Sequence, residues 1–302
     1  MTASPWFRPS CAIIIPTLAL RERADSLERA IESTRSGNEC PPKVLVVVNG
    51  QRFDASLVAG LRARQDIQLL QISTPSSPAA ILAGRKAITT PFFGFLDDDD
   101  EYLPGAVDAR LEAMAAHPEA SVVITNGYHH RLGEDSLDVE YLANLSDDPL
   151  AALFRENWLA SCGGLYRTDH IPVEFFEDSP RHIHWTWLAF RLVEAGKRIV
   201  ALDVPTYRIN DTLDSSSKSK EYMLCHLDLY RRMLERVSRP DIVRILRARL
   251  CQASHEISAY YLKQGSLQAA WSAHLSSLGH RSGWKFLPYS RKFIFARAGR
   301  DE

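Results

Sequence analysis

At 302 residues the chain is long enough to bury a full core, and its composition, 45% hydrophobic and 24% charged, is that of an ordinary globular protein, not a disordered one. A formal net charge of -1 provides no global field for nucleic acid, which excludes that class of partner and leaves only local basic stretches to be read. No run reaches the roughly 18 consecutive apolar residues of a membrane span, the opening MTASPWFRPS lacks the apolar core of a secretory leader, and the five cysteines are scattered and odd in number, so a cytoplasmic protein with reduced thiols is expected.

Over the first hundred residues, short β-branched runs at Cys11–Ile15, Val44–Val48, Ile67–Ile72 and Phe92–Leu96 alternate with helical spacing at about 21–34, 54–64 and 77–88. Such alternation predicts βαβ units, and strands apolar on both faces predict a mainly parallel sheet covered by helices. Loops at the carboxyl ends of those strands, Pro16–Thr17, Asn49–Gly50 and Asp97–Asp100, then gather on one edge. Pro104-Gly105 opens a helix to about Ala116, and Ser121–Thr125 is a strand. The polar stretch 133–149 reads as a surface excursion, Trp158–Tyr166 as a strand, 182–195 as a helix and Arg198–Leu202 as a strand. Residues 211–220 are too polar to pack and form a loop or a lid, with Lys218 as a cation for a diphosphate; a hydrophilic linker fits equally well. From residue 221 the apolar positions keep helical spacing to about Gly279, giving a C-terminal helical region over 221–302 after an α/β domain over 1–210.

The strongest chemical feature is FFGFLDDDDEYLPG at 92–105, a buried strand ending in four consecutive carboxylates. Their mutual repulsion raises the free energy of ionisation unless a cation lies among them. A hard ion such as Mn2+ or Mg2+ would relieve it, taking one or two carboxylates and leaving positions for phosphate oxygens. Strand alternation puts Asp97 and Asp99 on one side, as the natural pair. The plainer reading is an acidic turn that favours the N-terminus of the following helix.

With these residues in view, the chain resembles the family 2 glycosyltransferases of the GT-A fold, a Rossmann-like nucleotide-diphospho-sugar transferase architecture. The resemblance spans roughly 11–210. It rests on the apolar strand running into Asp97-Asp98-Asp99-Asp100 and Leu103-Pro104-Gly105, on Ile13–Thr17 with Arg23 beyond, and on Val44–Gly50. It implies an inverting transferase that moves a sugar from a nucleotide diphosphate donor, with a UDP-sugar favoured, to a saccharide or lipid-linked saccharide. It further implies that Pro16, Thr17, Asn49 and Arg23 hold the nucleotide with Asp97 and Asp98, and that Asp99 and Asp97 hold the metal.

Three departures from the family pattern shape the expectations. The arginine usual before the acidic strand is absent, and Arg85 or Lys86 stands in as the donor contact. The usual catalytic carboxylate is replaced by Ile183-His184-Trp185-Thr186, so His184 becomes the expected base, with Asp178, Glu177 and His182 as alternatives. Asn210 stands where a histidine often completes the metal shell, next to Arg208 as a further donor contact.

A non-catalytic sugar-nucleotide-binding scaffold is the competing class, favoured by the missing arginine and carboxylate and disfavoured by the four aspartates. A nucleotidyltransferase ranks lower, because PTLALRER at 16–23 has no glycine with which to cradle a triphosphate. Finally, 281–300 sets Arg281, Lys285, Arg291, Lys292, Arg297 and Arg300 among aromatics with no acidic residue. Two readings stay open there: peripheral contact with the anionic inner face of a membrane, or packing of the aromatics on the preceding helices.

Overall fold

Seven consecutive buried residues form the central strand β1 (Cys11–Thr17), and the computed structural model, which describes residues 10–140, 142–211 and 220–293, builds a nine-stranded sheet around it. β2 (Lys43–Asn49) and β4 (Phe92–Phe95) pair with β1 in parallel on either side, and β3 (Ile67–Ile72) pairs in parallel with β2. The intervening sequences wind helices α1 (Ala24–Ser33), α2 (Ala55–Ala63) and α3 (Ser77–Ala87). Their starts are fixed by side chains: Asp54 accepts from the amides of Ser56 and Leu57, and Ser76 caps α3 just ahead of Pro78. Because β1 has a later strand on one side and an earlier-crossing one on the other, its carboxyl end is the switch point where a doubly wound sheet opens a crevice.

Beyond β4 the sheet turns mixed. The two-residue strand β5 (Glu101–Tyr102) and α4 (Ala106–Ala116) follow the acidic turn; then come β6 (Val122–Arg131), β7 (Glu134–Leu137), α5 (Pro149–Arg155), β8 (Gly164–Arg167), α6 (His184–Glu194) and β9 (Ile199–Asn210). The spatial order is β3-β2-β1-β4-β8-β6-β9-β5, with β7 paired to β6. β8 runs antiparallel to β4 and β6, whereas β6 and β9 run parallel. Sequence pattern ended β6 six residues too early and gave 133–149 no strand. The chain instead turns at Leu132-Gly133, both at positive φ, and returns as an antiparallel hairpin. Trp158–Ser161 is loop, and the strand expected there is confined to β8.

Arg110 of α4 is fully buried and joins three elements. It donates to the Cys162 carbonyl at 2.7 Å and to Thr206 at 2.6 Å, approaches Thr125 at 3.3 Å, and lies 4.5 Å from the Tyr102 ring centroid. With its Nε and Nη2 on neutral acceptors and an aromatic face beside it, the guanidinium can occupy a core that a bare charge could not, while its Nη1 has no hydrogen-bond partner.

The chain divides into two compact units, residues 1–213 and 214–302. The second is helical, made of α7 (Lys220–Arg236), α8 (Pro240–Lys263) and α9 (Leu267–Ser277) with a short 3-10 stretch at Arg281–Ser290. Leu229, Met233, Ile242, Leu246 and Ile257 are among its buried side chains.

Candidate active site

The acidic run leaves the end of β4 in a turn closed by the Asp100 amide donating to the Asp97 carbonyl at 3.2 Å. Asp98 and Asp100 are buried in it, while Asp97 and Asp99 are partly accessible. Asp98 ties the turn to the end of β1 and to the residues after it. The Thr17 hydroxyl donates to it at 2.5 Å, Arg23 donates to its second oxygen, and Arg23 also lies 3.3 Å from Asp99. The carbonyl of Thr17 accepts from Asn49 at 3.0 Å, which joins the ends of β1 and β2. Beside this junction, Leu18, Leu20, Asn49, Gly50, Gln51, Arg52 and Pro75 line a cleft of about 210 Å³.

Burial dominates the electrostatics of the turn. It pushes the Asp97 carboxyl up to about 7, helped by the charges of Asp99 and Asp98 and opposed by a hydrogen bond from Ser161 and by Arg23. Asp100 is raised well above the ordinary carboxylate range, by burial first and then by Asp97 and Asp99. Asp98 is also raised by burial, against the pull of Arg23 and Thr17. From the far edge, the Asn210 amide donates to Asp100 at 3.0 Å and its side-chain nitrogen to the Asp99 carbonyl at 2.8 Å.

Among the described residues no group of three or more His, Cys, Asp or Glu side chains is arranged to hold a metal ion. The donor set nonetheless suits a hard cation that draws its other ligands from a substrate. Asp97 and Asp99 are both partly accessible and repel one another, which a hard cation held by them would offset.

Several expected contacts lie elsewhere. Arg85 is buried against the loop after β8, donating to the carbonyls of Thr168 at 3.0 Å and Ile171 at 2.9 Å with its guanidinium 4.6 Å from the Phe93 ring centroid. Its donors are taken up by that loop, so it is a structural brace and not a donor contact. Lys86 lies at the surface, 3.8 Å from Glu177. Arg208 is likewise committed: it pairs with Asp135 at 2.7 Å and Glu101 at 2.9 Å, tying the edge hairpin to β5. Pro16 sits within the buried parallel ladder and shapes the strand end. Lys218 and most of the expected lid fall outside the described residues.

His184 begins α6 as expected, but its surroundings do not suit the role of base. Neither ring nitrogen makes a well-formed hydrogen bond, both are enclosed, and the ring lies 4.9 Å from the Trp185 centroid, with Trp185 in turn against Phe95 of β4. Burial lowers its pKa to about 4, with His182 adding to the effect. The imidazole is therefore neutral but weakly basic, and it has no open path to a hydroxyl. Asp178 and Glu177 are exposed in the loop before α6.

Ser161, Asp138 and Arg110 escaped the sequence reading. Each gains its role through partners distant in the chain: the hydroxyl of Tyr207, for instance, donates to Asp138 across 69 residues.

A family model described as Glycosyl transferase family 2 matches residues 12–156. No curated protein matches the chain by sequence. Among solved structures, S. aureus TarS 1–349 in complex with UDP-GlcNAc superposes with a TM-score of 0.59 at 13% identity, covering 89% of this chain and 81% of that one. TarS 1–349 in complex with UDP gives 0.56 at 14% identity over 96% and 87%. A longer S. aureus TarS chain gives 0.61 at 14% identity, over 96% of this chain and 53% of that one. At such identities the likeness is one of fold. The segment 12–156 is accordingly a family 2 glycosyltransferase domain, set in a mixed α/β chain of the GT-A fold.

Proposed function

We propose that this glycosyltransferase is inverting and uses a nucleotide diphosphate sugar, with a UDP-sugar favoured, to glycosylate a hydroxyl on a saccharide or lipid-linked saccharide. The observation that carries this is the pair Asp97 and Asp99, partly accessible in a turn whose other two carboxylates are buried, at the switch point of the sheet. The cleft beside Asn49 and Thr17 would take the base and ribose. That TarS structures hold UDP-GlcNAc and UDP supports a UDP-sugar here.

Asp97 and Asp99 would hold Mn2+ or Mg2+, with Asn210 on the opposite side of the turn, and the ion would offset charge on the departing diphosphate. Arg23, fixed by Asp98, positions Asp99 and adds positive charge at the same place. Attack from the face opposite the leaving group inverts the anomeric carbon without a covalent intermediate. A panel of nucleotide sugars, each assayed with Mn2+ and with EDTA, tests this reading: one donor should bind and turn over with metal only. Binding without any turnover would indicate a scaffold; no binding by any donor would overturn the proposal.

The helical unit supports a location for the acceptor. Of its basic-aromatic segment, residues 294–300 lie outside the described residues; in the remainder Phe286 stacks on His255 with centroids 4.1 Å apart and Phe293 on Trp271 at 4.3 Å, so these rings pack internally. Trp284 and Leu287, three residues apart on a 3-10 turn, are 65% and 60% exposed beside Lys285 and Arg281. No helix of the described residues is long and apolar enough to cross a membrane. Exposed apolar groups rimmed by cations suit an anionic bilayer surface. The protein should sediment with vesicles rich in phosphatidylglycerol but not with phosphatidylcholine vesicles, and a Trp284→Ser, Leu287→Ser double variant should lose most of that binding. Equal sedimentation of variant and wild type would sink the membrane reading.

A further inference from the structure

The enclosed ring of His184 leaves the acceptor's proton without a taker, and a second acid–base constellation lies at the end of β6. The ring of Tyr207 is wholly buried between Gly127 and Gly163, with its hydroxyl donating to Asp138. The other oxygen of Asp138 lies 2.6 Å from Nε2 of His129. Asp138 is thus held from behind by a buried phenol and in turn fixes an imidazole whose side chain is 51% exposed. With Nε2–H directed at the carboxylate, the neutral tautomer presents Nδ1 as an open acceptor, and no partner occupies Nδ1 among the described residues.

Position links this pair to the acidic turn. In the parallel register of β6 and β9, His129 lies beside Ile209 and His130 beside Asn210, the residue that bonds Asp99 and Asp100. Adjacent strands are about 5 Å apart and successive Cα atoms 3.8 Å, so the backbone of His129 stands roughly 10 to 15 Å from that of Asp99. A sugar ring and an incoming hydroxyl fill a gap of that size. The ring of Tyr207, whose hydroxyl holds Asp138, also packs at Gly163, next to Cys162.

We propose that His129, oriented by Asp138, is the catalytic base that takes the proton of the attacking hydroxyl; this rests on the transferase reading above. As the acceptor oxygen bonds to the anomeric carbon, its O–H electrons form that bond and the proton passes to Nδ1. The bond from the anomeric carbon to the phosphate oxygen breaks with its electron pair leaving on the diphosphate. Asp138 stabilises the imidazolium, which later returns its proton to water.

Asp138 and Asp211 are the charges that act on His129; the nearby Asp135 of β7 is engaged by His130 and Arg208, and Arg131 lies 3.5 Å from Asp211. The hydrogen bond to Asp138 raises the imidazole above its ordinary value, outweighing partial burial, and the charges of Asp138 and Asp211 add to it. A base must be neutral, so transfer should fall as pH drops through a point above about 6.5.

The test uses the full chain, transfer from the donor that the panel selects, and calorimetric binding of its nucleoside diphosphate. His129→Gln should lower kcat roughly 100- to 1,000-fold with nucleotide binding within about twofold and an unchanged melting temperature. In Asp138→Asn, where Asp138 is a positioning residue, the acid limb of the pH profile should move to lower pH, a shift that a purely structural role would not produce. Wild-type kcat and pH profile in His129→Gln overturn the dyad alone, as does a large loss confined to His184 variants. If no sugar nucleotide supports transfer, the dyad and the transferase reading fall together.

Discussion

Exchange of Asp99 for Asn is expected to lower glycosyl transfer at least about 100-fold, a loss on the order of 3 kcal/mol of transition-state stabilisation. The substitution preserves shape and removes one partly accessible charge from the turn. The buried members of the turn keep their partners: Asp98 retains Thr17 and Arg23, and Asp100 retains the Asn210 amide. Melting behaviour should therefore change little while turnover collapses. Asp98→Asn should show a different balance, since it weakens the clamp that holds Arg23 against Asp99 and so disturbs the fold of the site as well. Steady-state rates with saturating donor, with metal and with EDTA, check the first expectation. Wild-type turnover in Asp99→Asn, or full turnover of the native chain in EDTA, would refute it.

Gly127→Ala is expected to destabilise the first unit by about 3 kcal/mol or more, at the upper end for overpacking. An added Cβ would lie 2.3 Å from two ring atoms of Tyr207. That ring has nowhere to retreat, because a Cβ built on Gly163 at its other face is only 3.2 Å away and the hydroxyl is bound to Asp138. Gly60→Ala supplies the contrast: it lies on the exposed side of α2 with nothing within 4 Å of its added Cβ, and should stabilise by about 0.5 to 1 kcal/mol. Thermal or urea unfolding of both variants distinguishes steric collision from a generic effect of alanine. A Gly127→Ala melting temperature within a degree of wild type would show that the Tyr207 seat is looser than its geometry implies.

Strands β1, β2 and β4 were legible because parallel strands covered on both faces read as unbroken apolar runs, as in VLVVV of β2, whereas β3, IQLLQI at the sheet edge, showed as a short apolar run broken by two glutamines. The acidic run was legible as four adjacent carboxylates after an apolar strand, but the chain turns there, so the period of two of β4 does not carry through it. The hairpin β6–β7 was not, since β7 is exposed at every position and has no apolar face to set a period. Side-chain roles depended on how far away the partner lies. Arg85 reads locally as the basic end of a helix, yet its acceptors are 83 and 86 residues further on. His184 had the right place in the sequence, but the aromatic packing of Trp185 on Phe95 that encloses it has no local signature.

The bonds from Asn210 to the acidic turn have a consequence for the order in which the protein can assemble. They join residues 110 and 111 positions apart, and Arg110 reaches Thr206 across a further 96. A nascent chain that has emerged to residue 156 holds the whole family-matched segment, but it lacks β8, α6 and β9 and hence the far wall of the turn. Contacts of such separation close late, after the loops between them have been drawn together. Asp100, whose partner is the Asn210 amide, thus stays hydrated until β9 docks, which makes completion of the site one of the last events in folding the first unit.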